Sequence, residues 1–258
     1  MLKGIMRIVF LSVVVSLMIS SPAFSSSYFG YTDWGGTWHD AEKTHINPFD
    51  DLMCWAAAAS NILDWGGWGT PTFNTEALIF KNFRNHWTDE GGLPQYGWAW
   101  WLNGTLPPLQ RDWSRVNIPG AGNYWPSYNF NAYYYEQWNE GLTLSSIDSY
   151  LHSGYGVTIG IYTSGGGHAL TVWGYEYDAY GNYSGLYITD SDDYKTQLAY
   201  YPVIWDDVGR WNLGGGYDGW YIGEVEVLDM RQTPEPSTIL LISSGLIGIL
   251  GLRKKFKN

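Results

Sequence analysis

Asp50-Asp51-Leu52-Met53-Cys54-Trp55-Ala56-Ala57-Ala58-Ala59-Ser60-Asn61-Ile62-Leu63-Asp64-Trp65 holds the only cysteine of the 258-residue chain at what reads as the start of a helix. Asp50 or Asp51 can serve as the N-cap, and four alanines followed by Ile62 and Leu63 supply a helix former with an apolar stripe. Cys54 then falls in the first helical turn. There the free backbone N–H groups and the helix dipole favour negative charge, so the thiol is expected to ionise readily, as a nucleophile requires. A small buried hydrophobe is the other role open to a free cysteine.

The ends of the chain mark an exported protein. Lys3 and Arg7 precede an apolar run from Ile8 to Ile19, and Ala23 and Ser25 stand as the small residues of a cleavage site, so 1–25 reads as a secretory signal peptide. At the other end Pro234-Glu235-Pro236 leads into an apolar stretch, Thr238 to Leu252, closed by Arg253-Lys254-Lys255-Phe256-Lys257. That order resembles the PEP-CTERM sorting signal of Gram-negative bacteria. The resemblance implies recognition by an exosortase, removal of the tail at 233–258, delivery to the cell envelope or extracellular matrix, and membrane contact only through this segment before processing.

Residues 26–232 are left as one domain with room for a proper core. The two ends take six of the fourteen basic residues and one of the 25 acidic ones. The remainder is strongly acidic, which argues against nucleic acid or anionic membrane as a partner. An exported chain with one cysteine forms no internal disulfide, so no staple explains Cys54.

Thr75 to Trp87 reads as a second helix and Leu144 to Leu151 as a short one. Gly156 to Tyr162 reads as a strand, followed by a hairpin of His168 to Tyr177 and Gly185 to Thr189 around the Asp178-Ala-Tyr-Gly-Asn182 turn. Val203 to Trp205 and Tyr221 to Leu228 are further strands. Helices first and an antiparallel sheet afterwards predict an α+β domain. Asp89 to Tyr135 shows no period. Within it Tyr96, Trp98, Trp100 and Trp101 could stack on sugars or grip a polypeptide, or form core.

The hairpin brings His168, at the start of one strand, beside Asp190, at the end of its partner. A nucleophilic cysteine needs a base, and the base needs an acceptor that fixes its tautomer. Cys54, His168 and Asp190 supply these roles. The acidic run Asp190, Asp192, Asp193 lacks the spacing of a calcium loop. His39, His45, His86 and His152 read as surface or structural histidines.

The blocks around Cys54, Gly-His168-Ala-Leu-Thr-Val-Trp-Gly, and Tyr-Ile-Thr-Asp190-Ser-Asp192 together resemble the streptococcal immunoglobulin G-degrading cysteine endopeptidases of the Mac type. The resemblance implies a papain-like fold with the nucleophile at the start of a central helix packed on an antiparallel sheet. It also implies Cys54 as nucleophile, His168 as base and later acid, Asp190 as orienting carboxylate, and Asp192 as a second supporting carboxylate. Lys43 is the counterpart of the family's oxyanion lysine. No glutamine precedes Cys54, so a papain-type oxyanion glutamine is excluded. The expected activity is cleavage of a protein or peptide without a cofactor. Acyl transfer to an amine with the same triad, and a non-catalytic module that binds matrix polysaccharide, are the alternatives.

Overall fold

The computed structural model describes residues 25–106, 120–138 and 140–230. The elements run β1 (Ser26–Phe29), α1 (Gly30–Trp34), α2 (Cys54–Trp65), α3 (Glu76–His86), α4 (Pro94–Asn103), α5 (Phe130–Tyr133), β2 (Tyr134–Gln137), α6 (Thr143–His152), β3 (Tyr155–Thr163), β4 (Gly166–Tyr177), β5 (Tyr183–Thr189), β6 (Ala199–Trp205), β7 (Trp211–Leu213) and β8 (Trp220–Asp229).

The expectation of a papain-like α+β fold, with a central helix on an antiparallel sheet, is overturned by the sheet. Six antiparallel strands close in the order β4-β3-β8-β7-β6-β5, and β5 pairs back onto β4. β1 and β2 lie outside the ring, on β4 and β8. The closing element is β7, three residues that join β6 to β8 and are too short to show a strand pattern in sequence. Register shifts at Gly160/Ile161, Val172/Gly174 and Glu176/Tyr177 add the local bends that closure needs. At Gly174 the β1 backbone passes so near that a Cβ would lie 2.3 Å from the Tyr28 carbonyl oxygen.

Strand alternation sorts the side chains into two cores. Val157, Ile159, Leu170, Val172, Leu186, Ile188, Val225 and Val227 fill the ring, joined by Leu144, Ile147 and Leu151 of α6. On the outer face Ala169, Trp173 and Leu228 meet α2, α3 and α4, whose contribution is dominated by alanine and tryptophan. The alanines of α2 let α4 approach closely: a Cβ on Gly97 would come within 3.0 Å of the Ala59 methyl. Several indoles of this layer find carbonyls, Trp98 on Ala59 and both Trp101 and the half-buried Trp125 on Trp68. Trp98→Ala would cost about 3–5 kcal/mol as a core truncation.

Asn61 ties α2 to the barrel wall. Its Nδ2 donates to Thr171 Oγ1 on β4 at 3.0 Å, and its Oδ1 accepts from the Ala41 N–H at 2.8 Å. The helix start is thereby held at the mouth of the β4–β5 hairpin.

Candidate active site

Cys54 is the first residue of α2, and neither Asp50 nor Asp51 caps it: the N-cap is Met53, with no side-chain cap bond. Asp50 is fully buried instead. Its carboxylate accepts from Thr44 N–H (2.9 Å), Thr44 Oγ1 (2.7 Å) and Arg84 (2.9 Å), so it shapes the loop that delivers the chain to α2. With no carboxylate at the cap, the positive end of the helix is left to the thiol.

His168 stands near the start of β4. Its Nε2 lies 2.8 Å from Asp190 Oδ1, and the ring stacks on Tyr217. The Tyr217 hydroxyl donates to Asp190 Oδ2, and the Asp192 N–H donates to Asp190 Oδ1 at 2.9 Å. With Nε2 engaged, Nδ1 is the nitrogen left for Cys54, which hydrogen-bonds the ring and also receives the Ala169 N–H. Lys43 is buried, with Nζ 2.6 Å from the Asp51 carbonyl oxygen and 2.5 Å from Asp192 Oδ1. Asp192 Oδ2 is 3.9 Å from His168 Nδ1. All five residues singled out in the sequence therefore meet in one cluster.

The electrostatics form an ion pair. Burial alone would raise the Cys54 thiol pKa, but the His168 charge and hydrogen bond, Lys43 and the Ala169 N–H outweigh it and bring it below the ordinary value. Burial works against charge on His168 too, yet Cys54 and Asp190 hold its pKa above the usual histidine range. Asp190 resists burial through His168, Tyr217 and the Asp192 N–H and stays low. Thiolate and imidazolium are the matched forms.

Half-buried Cys54 opens on a cleft of about 650 Å³, walled by Lys43, Tyr96, Trp138, Tyr162, Trp220 and Glu224 among others. Trp98, Trp100 and Trp101 are buried, so they serve as core rather than as a platform for sugars. Asp193 turns away to Lys195 and Gln197 and does not converge with Asp190 and Asp192 on a calcium position.

Among the described residues three groups have ligand atoms close enough for a metal: His39–Asp64–Glu76, His168–Asp190–Asp192 and Glu136–Glu224–Glu226. In the first, His39 is itself the cation, 2.9 Å from Asp64 and 3.2 Å from Glu76. Burial opposes its charge, but the two carboxylates push its pKa up to about 9. In the second, Lys43 occupies that role. Tyr217 and the glutamates were not anticipated from sequence. Tyr217 sits in a glycine-rich loop without period, and Glu224 and Glu226 alternate with apolar residues in β8, a pattern that ordinarily marks a solvated strand face.

The chain matches the Mac 1 family model over residues 132–210 and the PEP-CTERM protein-sorting motif over residues 232–255. Both resemblances noted in the sequence are thus met. The Mac 1 match takes in His168, Asp190 and Asp192 but begins after Lys43 and Cys54. No curated protein matches the chain. The sorting motif indicates export, envelope sorting of the Gram-negative kind and recognition by exosortase-type machinery. Among the described residues no helix is long and apolar enough to cross a membrane; the signal-peptide segment and the C-terminal apolar run lie outside them.

Proposed function

We propose that this protein is an exported cysteine endopeptidase, with a signal peptide at 1–25, a catalytic domain at 26–232 and a removable sorting tail at 233–258. The observation that carries the reading is the unbroken chain from the Cys54 thiol through His168 to Asp190, set beside a peptide-sized cleft. The Mac 1 match is compatible with it.

In this mechanism the Cys54 thiolate attacks a peptide carbonyl carbon, forming a C–S bond. The oxyanion meets the Cys54 N–H, unpaired at the helix start, and the Lys43 ammonium. Collapse breaks the C–N bond as His168 gives its proton to the departing amine, leaving a thioester. His168 then takes a proton from water, the water oxygen attacks the thioester, and the C–S bond breaks. Asp190 keeps the imidazole oriented throughout, and Asp192 holds Lys43.

The test is intact-protein mass spectrometry after brief exposure to a peptidyl chloromethyl ketone. One adduct is expected, on Cys54, and none in Cys54→Ala or His168→Ala. The labelling rate should rise through an acid limb set by the lowered Cys54 pKa, run flat across neutrality, and fall once His168 loses its proton, above the usual histidine range. A folded protein that resists several such reagents would sink the reading.

A further inference from the structure

The cleft wall carries a second acidic cluster. Glu224 lines it and yet is only 2% exposed, and Glu226 behind it is 1% exposed. With Glu136 they bring carboxylate oxygens within 4.8 Å of one another. Tyr162 donates to Glu224 at 2.5 Å, Tyr134 to Glu136 at 2.8 Å, and the Gln95 N–H to Glu226 at 2.8 Å. The second oxygens of Glu224 and Glu226 find no donor beyond a proton shared between the pair. Among the described residues no lysine, arginine or histidine forms an ion pair with any of the three. An acidic group buried without a counter-ion is costly, and a cation arriving from outside would relieve it.

The surroundings suit a long side chain with a charged head. Trp138, Tyr162 and Trp220 supply aromatic walls on which an aliphatic stem can lie. The sheet beneath is cleared of side chains: a Cβ would come within 2.8 Å of Tyr162 at Gly160 and Gly167, and within 2.9 Å at Gly223. Tyr162 thereby lies close over three strands with its hydroxyl on Glu224.

Register sets the reach. Glu224 pairs with Gly160, and Gly160 with Ala169, whose N–H touches the Cys54 sulfur. Two strand spacings, about 10 Å, thus separate the Glu224 backbone from the Ala169 N–H that meets the thiol. Lysine and arginine side chains span that gap from a backbone seated on Cys54.

We propose that Glu224, backed by Glu226 and Glu136, is the recognition group for a lysine or arginine side chain of the substrate, one or two residues from the scissile bond. This rests on the peptidase reading above. A divalent cation would take six or more oxygens, whereas the cluster opens onto an aromatic-walled cleft.

The experiment compares peptidyl chloromethyl ketones carrying arginine or its neutral isostere citrulline at the terminal or penultimate position. Arginine should be favoured by about 30-fold or more in labelling rate, as for a buried charge pair, and Glu224→Gln should bring the ratio near one. Equal rates on the unmodified protein would overturn the inference. So would millimolar calcium that raises the melting temperature and abolishes the arginine preference, since the cluster would then be a cation site. Calorimetry with the same sequences as amides on Cys54→Ala separates the two readings. Tighter binding of the arginine peptide supports the subsite even where no adduct forms, and equal binding rejects it.

Discussion

Asp190, with the exposed Asp192 beside it, and Glu224 and Glu226 on the cleft wall are acidic pairs with opposite settlements, although Asp190 and both glutamates are buried to similar depth. The aspartates meet His168, Lys43 and Tyr217, so Asp190 stays ionised and its charge is spent on orienting and charging an imidazole. The glutamates meet hydroxyls, an N–H and each other, so burial raises the pKa of both, Glu226 the further. Burial alone therefore does not decide what a carboxyl does. The donors around it do.

Asp190→Asn attacks the compensated pair and should have the largest effect, a loss of about 10²- to 10⁴-fold in turnover of a peptide substrate. The amide removes the charge that raises His168, so the alkaline limb of the pH–rate profile should move to lower pH. An unchanged alkaline limb would mean that Asp190 does not set the protonation of His168. Lys43→Met should cost less, about 10- to 100-fold, because the Cys54 N–H remains as an oxyanion donor. It should also shift the acid limb upward, since Lys43 helps hold the thiol pKa down. Retention of full activity would remove Lys43 from the oxyanion site.

Glu226→Gln probes the uncompensated pair and should have the smallest effect, about 1 kcal/mol or less near pH 4, since the amide keeps an acceptor for the Gln95 N–H. A carboxyl whose folded pKa is raised contributes stability below its unfolded pKa and loses it as pH rises toward the folded value. The parent should therefore lose stability as pH climbs above the ordinary carboxylate range, and the glutamine variant less so. Thermal melts at pH 4 and pH 8 check this: the variant should match the parent at the first and equal or exceed it at the second. A variant that melts well below the parent at pH 8 would show that Glu226 is needed as an anion.

The same contrast explains what sequence could reveal. His168 and Asp190 were legible because a turn signal, Asp178 to Asn182, fixed a hairpin, and hairpin register is local. The helix at Cys54 was legible from its alanines, though its cap was not: an aspartate before a helix looks the same whether it caps the helix or, like Asp50, anchors a buried loop. α4 was missed because Trp98, Trp100, Trp101 and Leu102 are all buried, and a helix covered on several sides shows no amphipathic period. Closure of the barrel was hidden for a different reason. It depends on β7, three residues long, and on β8 returning to β3, neither of which leaves a repeat in the chain. The uncompensated glutamates escaped notice because absence of a counter-charge is a fact about neighbours in space.

Closing the sheet also governs how copies of the protein meet one another. Every strand of the ring is paired on both sides, and among the described residues only β1 and β2, four residues each, present a free edge. A chain with 16 tryptophans and 21 tyrosines, sorted to the cell envelope, thus offers little template for strand addition among its described residues. The ring that holds the β4–β5 hairpin also leaves neighbouring molecules little edge to pair with.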